Sequence, residues 1–178
     1  QILMLGIVEK RKGQDLALEA AKLLWDEGLE FDLHVVGRTN PYFGKDIARA
    51  LKDAAKAGYQ VNMHGEIDDA ALQQLFLNTD LILLPSLAEG CGLPVLESLW
   101  KGVPTLSSNL HSVRENSRFG GCELFETGNV EALTDALRNL IKNRRKLQEL
   151  TDGIQTKMLP RWKKTARDII DHMVTEGA

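Results

Sequence analysis

Two carboxylates separated by seven residues flank a loop that is almost bare of side chains, in the run Glu89-Gly90-Cys91-Gly92-Leu93-Pro94-Val95-Leu96-Glu97. Carboxylates accept hydrogen bonds from hydroxyls. Pro94 suits the first turn of a helix, so the backbone amides of Gly90, Cys91, Gly92 and Leu93 would collect at a helix start, where negative charge is favoured. A diphosphate flanked by a sugar and a ribose fits that arrangement of acid, amides and acid. For Glu97 alone, a favourable charge near a helix N-terminus is the other reading. A second group, Lys10, Arg11 and Lys12, stands just before Gly13 and a helical segment. Its cations could meet the same anion, or it could be a solvated basic turn. The chain has no Gly-x4-Gly-Lys-Ser/Thr loop and no Gly-x-Gly-x-x-Gly after its first apolar run, which argues against P-loop kinases and dinucleotide-dependent dehydrogenases.

These groups need a frame that brings them together. Short runs rich in Val, Ile and Leu, at 2–8, 31–36, 60–64, 81–84, 103–107 and 122–125, alternate with segments of helical period. The period shows in Leu16, Ala20, Leu23 and Leu24, in Ile47, Leu51, Ala54 and Ala55, and in Leu72, Leu75 and Phe76. It returns over 131–143 and in a helical stretch at about 144–155. This is the pattern of βα units, and it predicts an α/β fold with a doubly wound, Rossmann-like parallel sheet. Pro160 interrupts the chain before a terminal helix within 160–178, an α-helical C-terminal tail with an apolar face of Ala166, Ile169, Ile170 and Met173 and a core place for Trp162. Ligands of such sheets bind beyond the carboxyl ends of the strands. Gly6 to Gly13, Gly37, Gly65 and the Gly90/Gly92 pair all fall in loops at that edge, although Gly37 and Gly65 would equally serve as turn glycines.

A chain of 178 residues is long enough for one compact domain, which would bury roughly 70% of the surface of its unfolded chain. With 43% hydrophobic and 26% charged residues and a net charge of -3, it lacks the basic balance of a nucleic-acid binder. Its apolar runs are far short of a membrane span, and the charge suggests no membrane patch. Cys91 and Cys122 form neither a disulfide framework nor a metal motif, so a reducing compartment and no metal are expected. His34, His64, His111 and His172 show no ligand spacing and are read as core-edge or surface residues, with no general base among them. The start at Gln1-Ile2-Leu3, inside an apolar run, suggests part of a longer protein.

The run from Glu89 to Glu97 closely resembles the signature of glycosyltransferase family 4, retaining enzymes built from two Rossmann-like domains in the GT-B arrangement. Gly6 to Gly13 resembles the first loop of that family's donor domain. Val35-Val36-Gly37, His64-Gly65-Glu66-Ile67-Asp68, Gly102-Val103-Pro104 with Ser107-Ser108-Asn109, and Arg161 to Ala166 resemble later stretches of it. The resemblance implies that residues 1–178 are one half of a GT-B fold, the donor-binding half, with an N-terminal acceptor domain outside the chain. It further implies that Glu89 contacts the donor sugar with amides near Cys91 and Gly92, that Lys12, helped by Arg11, holds the diphosphate, and that Glu97 binds the ribose. Glu66 and Ile67 would lie by the base, Leu93 by the phosphates and ribose, and Gly37 in the adjoining turn.

The activity so implied is metal-independent transfer, without a cofactor, of a hexose such as mannose from a nucleotide diphosphate sugar to a glycan or glycolipid acceptor. Cell-envelope polysaccharide or lipopolysaccharide synthesis, in the cytoplasm or at the inner face of the cell membrane, with at most peripheral membrane association, is the setting that goes with it. The isolated domain is expected to be inactive. Three positions depart from the family pattern: Ile7, where Arg or Thr is frequent; Cys91, a small filler in place of an aromatic; and Arg114, which loosens the reading of the loop at 109–116. Half of a nucleotide-sugar 2-epimerase and a non-catalytic nucleotide-binding α/β module are the alternatives.

Overall fold

The computed structural model describes the backbone of residues 1–176, and the side chains of all of these except 162, 168 and 173–176. Six strands, β1 Ile2–Leu5, β2 Leu33–Val36, β3 Val61–Gly65, β4 Leu81–Leu84, β5 Thr105–Ser108 and β6 Cys122–Phe125, form one parallel sheet in the order β3-β2-β1-β4-β5-β6. All four residues of β4 are buried, as expected of a central strand covered on both faces. Successive side chains point to opposite faces. Leu81 and Leu83 therefore enter one core with Ile2 and Met4, while Ile82 and Leu84 enter the other with Leu3.

The helices divide accordingly. Helices α1 Gln14–Asp26, α2 Lys45–Lys56 and α6 Val130–Lys142 supply Leu18, Leu24, Leu51, Leu133, Leu137 and Leu140 to the first core. Helices α3 Asp69–Leu77, α4 Leu93–Trp100 and α5 His111–Ser117 supply Phe76, Val95, Leu99 and Val113 to the second. Side-chain caps start two of them, α3 and α6: Asp68 accepts from Ala71 N at 2.8 Å and Asn129 from Ala132 N at 3.0 Å. Because β2 and β3 lie on one side of β1 and β4 to β6 on the other, the chain reverses direction between β1 and β4. The loops after those two strands diverge there, and that divergence makes the crevice in a sheet of this kind.

Several boundaries move from those the sequence suggests. The first strand stops at Leu5 and not at residue 8, because Gly6 takes φ +129° and turns the chain out of the sheet; Val8 returns only as an isolated bridge to Thr39. The stretch read as a loop at 109–116 contains α5. The helical stretch expected to about residue 155 is α7 Arg144–Asp152, followed by a single 3-10 turn at Thr156–Met158. The terminal helix α8 Trp162–Glu176 is present, but Ala166, Ile169 and Ile170 are exposed and do not bury the expected apolar face against this chain. The expected places of the Met173 and Trp162 side chains lie outside the described residues.

His34 of β2 and His64 of β3 meet across adjacent strands. Their rings stack at 5.2 Å, and His34 Nδ1 lies 2.9 Å from His64 Nε2. Burial, and secondarily the charge of His64, holds the His34 imidazole below its ordinary value of 6.5. A histidine whose folded pKa is depressed binds fewer protons in the native than in the unfolded chain across that window, so stability falls as pH drops through it. The urea midpoint should therefore fall between neutral and mildly acid pH, and His34→Gln should reduce that fall; identical pH slopes for the two proteins would contradict the assignment.

Candidate functional site

Two loops at the carboxyl edge of the sheet are fastened to each other at the point where the sheet reverses. The loop after β1 runs from Gly6 through a 3-10 turn, Lys10–Lys12, to Gly13 at φ +70°, which starts α1. The loop after β4 runs from Pro85 to Gly92 at φ +64°, which starts α4. Lys12 Nζ lies 2.6 Å from Glu89 Oε1, and the two side chains are only 12% and 11% exposed. Arg11 O accepts from Leu87 N at 2.8 Å. A Cβ on Gly13 would stand 2.0 Å from Pro85 O, so only glycine lets the loops approach this closely. The Lys12 stem lies over Gly6, 3.5 Å from where a Cβ would be.

Glu89 is held from several directions. Ser86 Oγ donates to the same Oε1 at 2.6 Å, which leaves Oε2 with Arg11 Nη1 at 3.9 Å. From α5, Ser112 Oγ donates to Glu89 O at 3.1 Å, and Asn116 Nδ2 donates to Cys91 O at 2.8 Å and Gly92 O at 3.2 Å. The carbonyls of the loop are thus drawn toward α5. Among the described residues the N–H groups of Gly90, Cys91, Gly92 and Leu93 have no acceptor within the chain. They gather just ahead of and at the start of α4, whose N-cap is Gly92, and Gly90, Cys91 and Leu93 are exposed. The arrangement can bind an anion through Lys12 and these amides while presenting a carboxylate oxygen to a hydroxyl beside it.

The other expected residues fall around this pair. Arg11 is spent largely on Glu9, with contacts of 2.7 and 3.0 Å, and on Ala88 O at 3.1 Å, so it clasps the two loops and leaves Lys12 as the central cation. Gly37, at φ +143°, passes so close to the first loop that a Cβ would lie 2.0 Å from Gly6 O. It also joins the next loop, its N–H donating to Gly65 O at 2.8 Å. Glu66 is exposed beside it, while Ile67 packs into the second core and leaves its backbone at the edge. Glu97 lies more than one turn into α4, whose first turn holds no acid; it is exposed, and its carboxylate has no ion pair or hydrogen bond among the described residues. The reading of Glu97 as a charge at the helix terminus therefore lapses.

Three positioning elements were not anticipated from sequence. Ser112 and Asn116 are four apart and share one face of α5, a signal hidden by reading that stretch as a loop. Gln14, 1% exposed, ties the first loop to α1 by donating to Ile7 O at 3.0 Å and accepting from Glu9 N at 3.3 Å. Glu9 accepts from Asn40 Nδ2 at 2.7 Å, and this hydrogen bond, with Arg11 beside it, holds its carboxyl below the usual range.

A cleft of about 710 Å³ opens at the opposite, amino-terminal end of the strands, between Trp25, Phe31, Tyr59, Leu140 and Ile141. Two of its polar groups are already used, Trp25 Nε1 on Phe31 O at 2.9 Å and Tyr59 OH on Asp26 at 3.0 Å. It lies away from the reversal of the sheet, and its cation, Arg144, already faces Asp80 at 3.7 Å, so the carboxyl edge is the better candidate. Among the described residues no cluster of His, Cys, Asp or Glu could hold a metal ion, and no helix is long and apolar enough to cross a membrane.

The family model described as glycosyl transferases group 1 matches residues 1–157. The serotype-specific mannosyltransferase WbdA of Escherichia coli is 26% identical over 113 residues, 64% of this chain but 14% of that protein. Anabaena HepE, solved in complex with UDP, superposes with a TM-score of 0.81 at 16% identity over 98% of this chain and 48% of its own. The C-terminal domain of a glycosyl transferase group 1 family protein, LpcC of Francisella tularensis, superposes with a TM-score of 0.74 at 22% identity, over 85% of this chain and 80% of its own. The chain thus spans about half of one relative and a much smaller part of another.

The two thiols separate cleanly. Cys91 is exposed in the candidate loop, whereas burial pushes the Cys122 thiol on β6 up to about 12. Because the thiolate is the nucleophile, Ellman's reagent at mildly alkaline pH should titrate one thiol in the folded chain and two in guanidinium. Two fast thiols in the folded chain would contradict the placement of Cys122.

Proposed function

The chain belongs to the glycosyl transferases group 1 family, and from that premise we propose that it is the donor-binding, C-terminal half of a retaining family 4 enzyme of two-domain GT-B build. Its donor is a nucleotide diphosphate hexose, with mannose the leading sugar. The observation that carries the reading is the Lys12–Glu89 pair at the reversal of the sheet, with the free amides of Gly90 to Leu93 beside it. The UDP complex of HepE, a protein of the same fold, and the mannosyltransferase WbdA support the donor class and the sugar.

In this reading the diphosphate lies between Lys12 and the start of α4. An ammonium carries three donors, so Lys12 can keep Glu89 Oε1 while donating to a phosphate oxygen. Glu89 Oε2 then accepts from a sugar hydroxyl, and Glu97, exposed and unpartnered among the described residues, accepts from the ribose. Glu66 and Ile67 border the base through their backbone. As the bond from sugar to phosphate breaks, charge grows on the diphosphate, and Lys12 with the helix-terminal amides stabilises it in place. No metal or cofactor takes part. The acceptor is a glycan or glycolipid of the cell envelope, bound by the other half of the enzyme at the inner face of the membrane, so this half alone holds donor without transferring sugar.

Titration calorimetry with uridine and guanosine diphosphates tests this. Lys12→Ala should weaken nucleoside diphosphate binding about 10- to 100-fold, the loss of a hydrogen bond to a charged group, and Glu97→Ala about 3- to 10-fold. Glu89→Gln should tighten the free diphosphate while removing any added affinity for the sugar-bearing nucleotide. Equal affinities in wild type and all three variants would overturn the site.

A further inference from the structure

A second surface is built on the same edge of the sheet but does not belong to the donor site. The loop after β2 ends in Tyr42 and Phe43, 85% and 73% exposed, with ring centroids 6.3 Å apart. Exposed aromatic pairs of this size are costly in water unless something covers them. The tip is also rigidly held. Asn40 Oδ1 accepts from Tyr42 N at 3.0 Å and Phe43 N at 3.2 Å, Asn40 N donates to Val8 O at 3.0 Å, and Gly44 N donates to Asn40 O at 3.0 Å. A Cβ on Gly44 would stand 2.0 Å from Val8 O, so the turn is seated on the extended segment beyond β1.

Directly behind the aromatics, α2 carries Lys45, Arg49, Lys52 and Lys56, all exposed, while Ile47, Ala48, Leu51 and Ala54 face the core. At 3.6 residues per turn the four cations fall within an arc of about 60°. Thr39 and Ala48 line a shallow groove beside these cations, with Asp53 at its edge, and Arg38 is exposed in the same loop. The acids of this helix, Asp46 and Asp53, lie to one side of the stripe and make open contacts of 3.5 Å to Arg49 and 3.6 Å to Lys56. Exposed pairs of this kind contribute little to stability, but at these distances the two acids reduce the field of the stripe, so α2 carries four positive and two negative charges, a net of +2.

We propose that this face, Tyr42 and Phe43 with the cationic stripe of α2, seats the protein on a bilayer surface rich in anionic lipid. The apolar face of α2 is spent on the core, so the attachment rests on the rings of Tyr42 and Phe43, which enter the headgroup layer, and on the cations, which lie over the anionic lipids. The chain's net charge of -3 does not oppose this, because charges more than about 10 Å away are screened at ordinary ionic strength and only the facing side is felt. A bilayer therefore reads a positive face on a negative protein, which the overall composition concealed. The surface is separate from the Lys12–Glu89 pair, so the proposal stands or falls independently of the donor reading.

Co-sedimentation with phosphatidylcholine vesicles, with and without phosphatidylglycerol, tests it. The wild-type chain should pellet with the anionic vesicles and not with the neutral ones. The double variant Lys45→Glu with Arg49→Glu should lower partition at least about 25-fold, at about fivefold per cation lost. Tyr42→Ser with Phe43→Ser should lower it about tenfold. Arg144→Glu with Arg145→Glu, an equal charge change on α7, should stay within about twofold of wild type, and all variants should bind nucleoside diphosphate as wild type does. A wild-type chain that stays in solution with anionic vesicles, an aromatic variant that partitions unchanged, or an α7 variant that loses as much as the α2 variant would each overturn the proposal. The first of these would leave the face to a protein partner.

Discussion

The contact between Lys12 and Glu89 is the one on which the rest of this edge depends. A charge this far removed from water is tolerated only with an opposite charge and further hydrogen bonds beside it, and each residue supplies that condition for the other across 77 positions of sequence. The pair spans the gap where the sheet reverses direction, so it fixes the distance between the loops after β1 and β4. It also keeps the crevice electrically balanced, with a cation and a carboxylate facing each other across it.

The surrounding structure serves that contact. Gly13 and Gly37 are glycines because other backbone passes through the space a Cβ would need. Gln14 fastens the first loop to the start of α1, and Ser112 and Asn116 fasten the second to α5. By taking the carbonyls of Glu89, Cys91 and Gly92, α5 leaves the amides of that loop as the groups without partners. Such donors are what an anion can use.

Much of this was legible in the chain itself. The alternation of Val-, Ile- and Leu-rich runs with helical periods gave the doubly wound parallel sheet, because strands buried on both faces read as continuous apolar runs. The Glu89 to Glu97 segment stood out because a glycine-rich loop, a proline at a helix start and two acids are each locally legible. What escaped notice was made by contacts across the sheet. Helix α5 is seven residues long with only Val113 buried, too short for a periodic signal. The facing of His34 and His64 follows from the pairing of β2 with β3, which no local spacing reveals. Arg11 reads as a helper of Lys12 because nothing in its local sequence shows that Glu9 and the carbonyl of Ala88 hold it. The positive face of α2 was hidden by the net charge, which averages over sides of the molecule that a flat partner never meets.

The central claim is one of location: the ligand belongs at the carboxyl edge, where the sheet reverses. A crystal structure of the chain grown with uridine diphosphate tests it most directly. The account predicts the diphosphate within hydrogen-bonding distance of Lys12 Nζ and the amides at the start of α4, with the ribose toward Glu97. A nucleotide found instead in the cleft between Trp25, Tyr59 and Leu140 at the other end of the strands would contradict it.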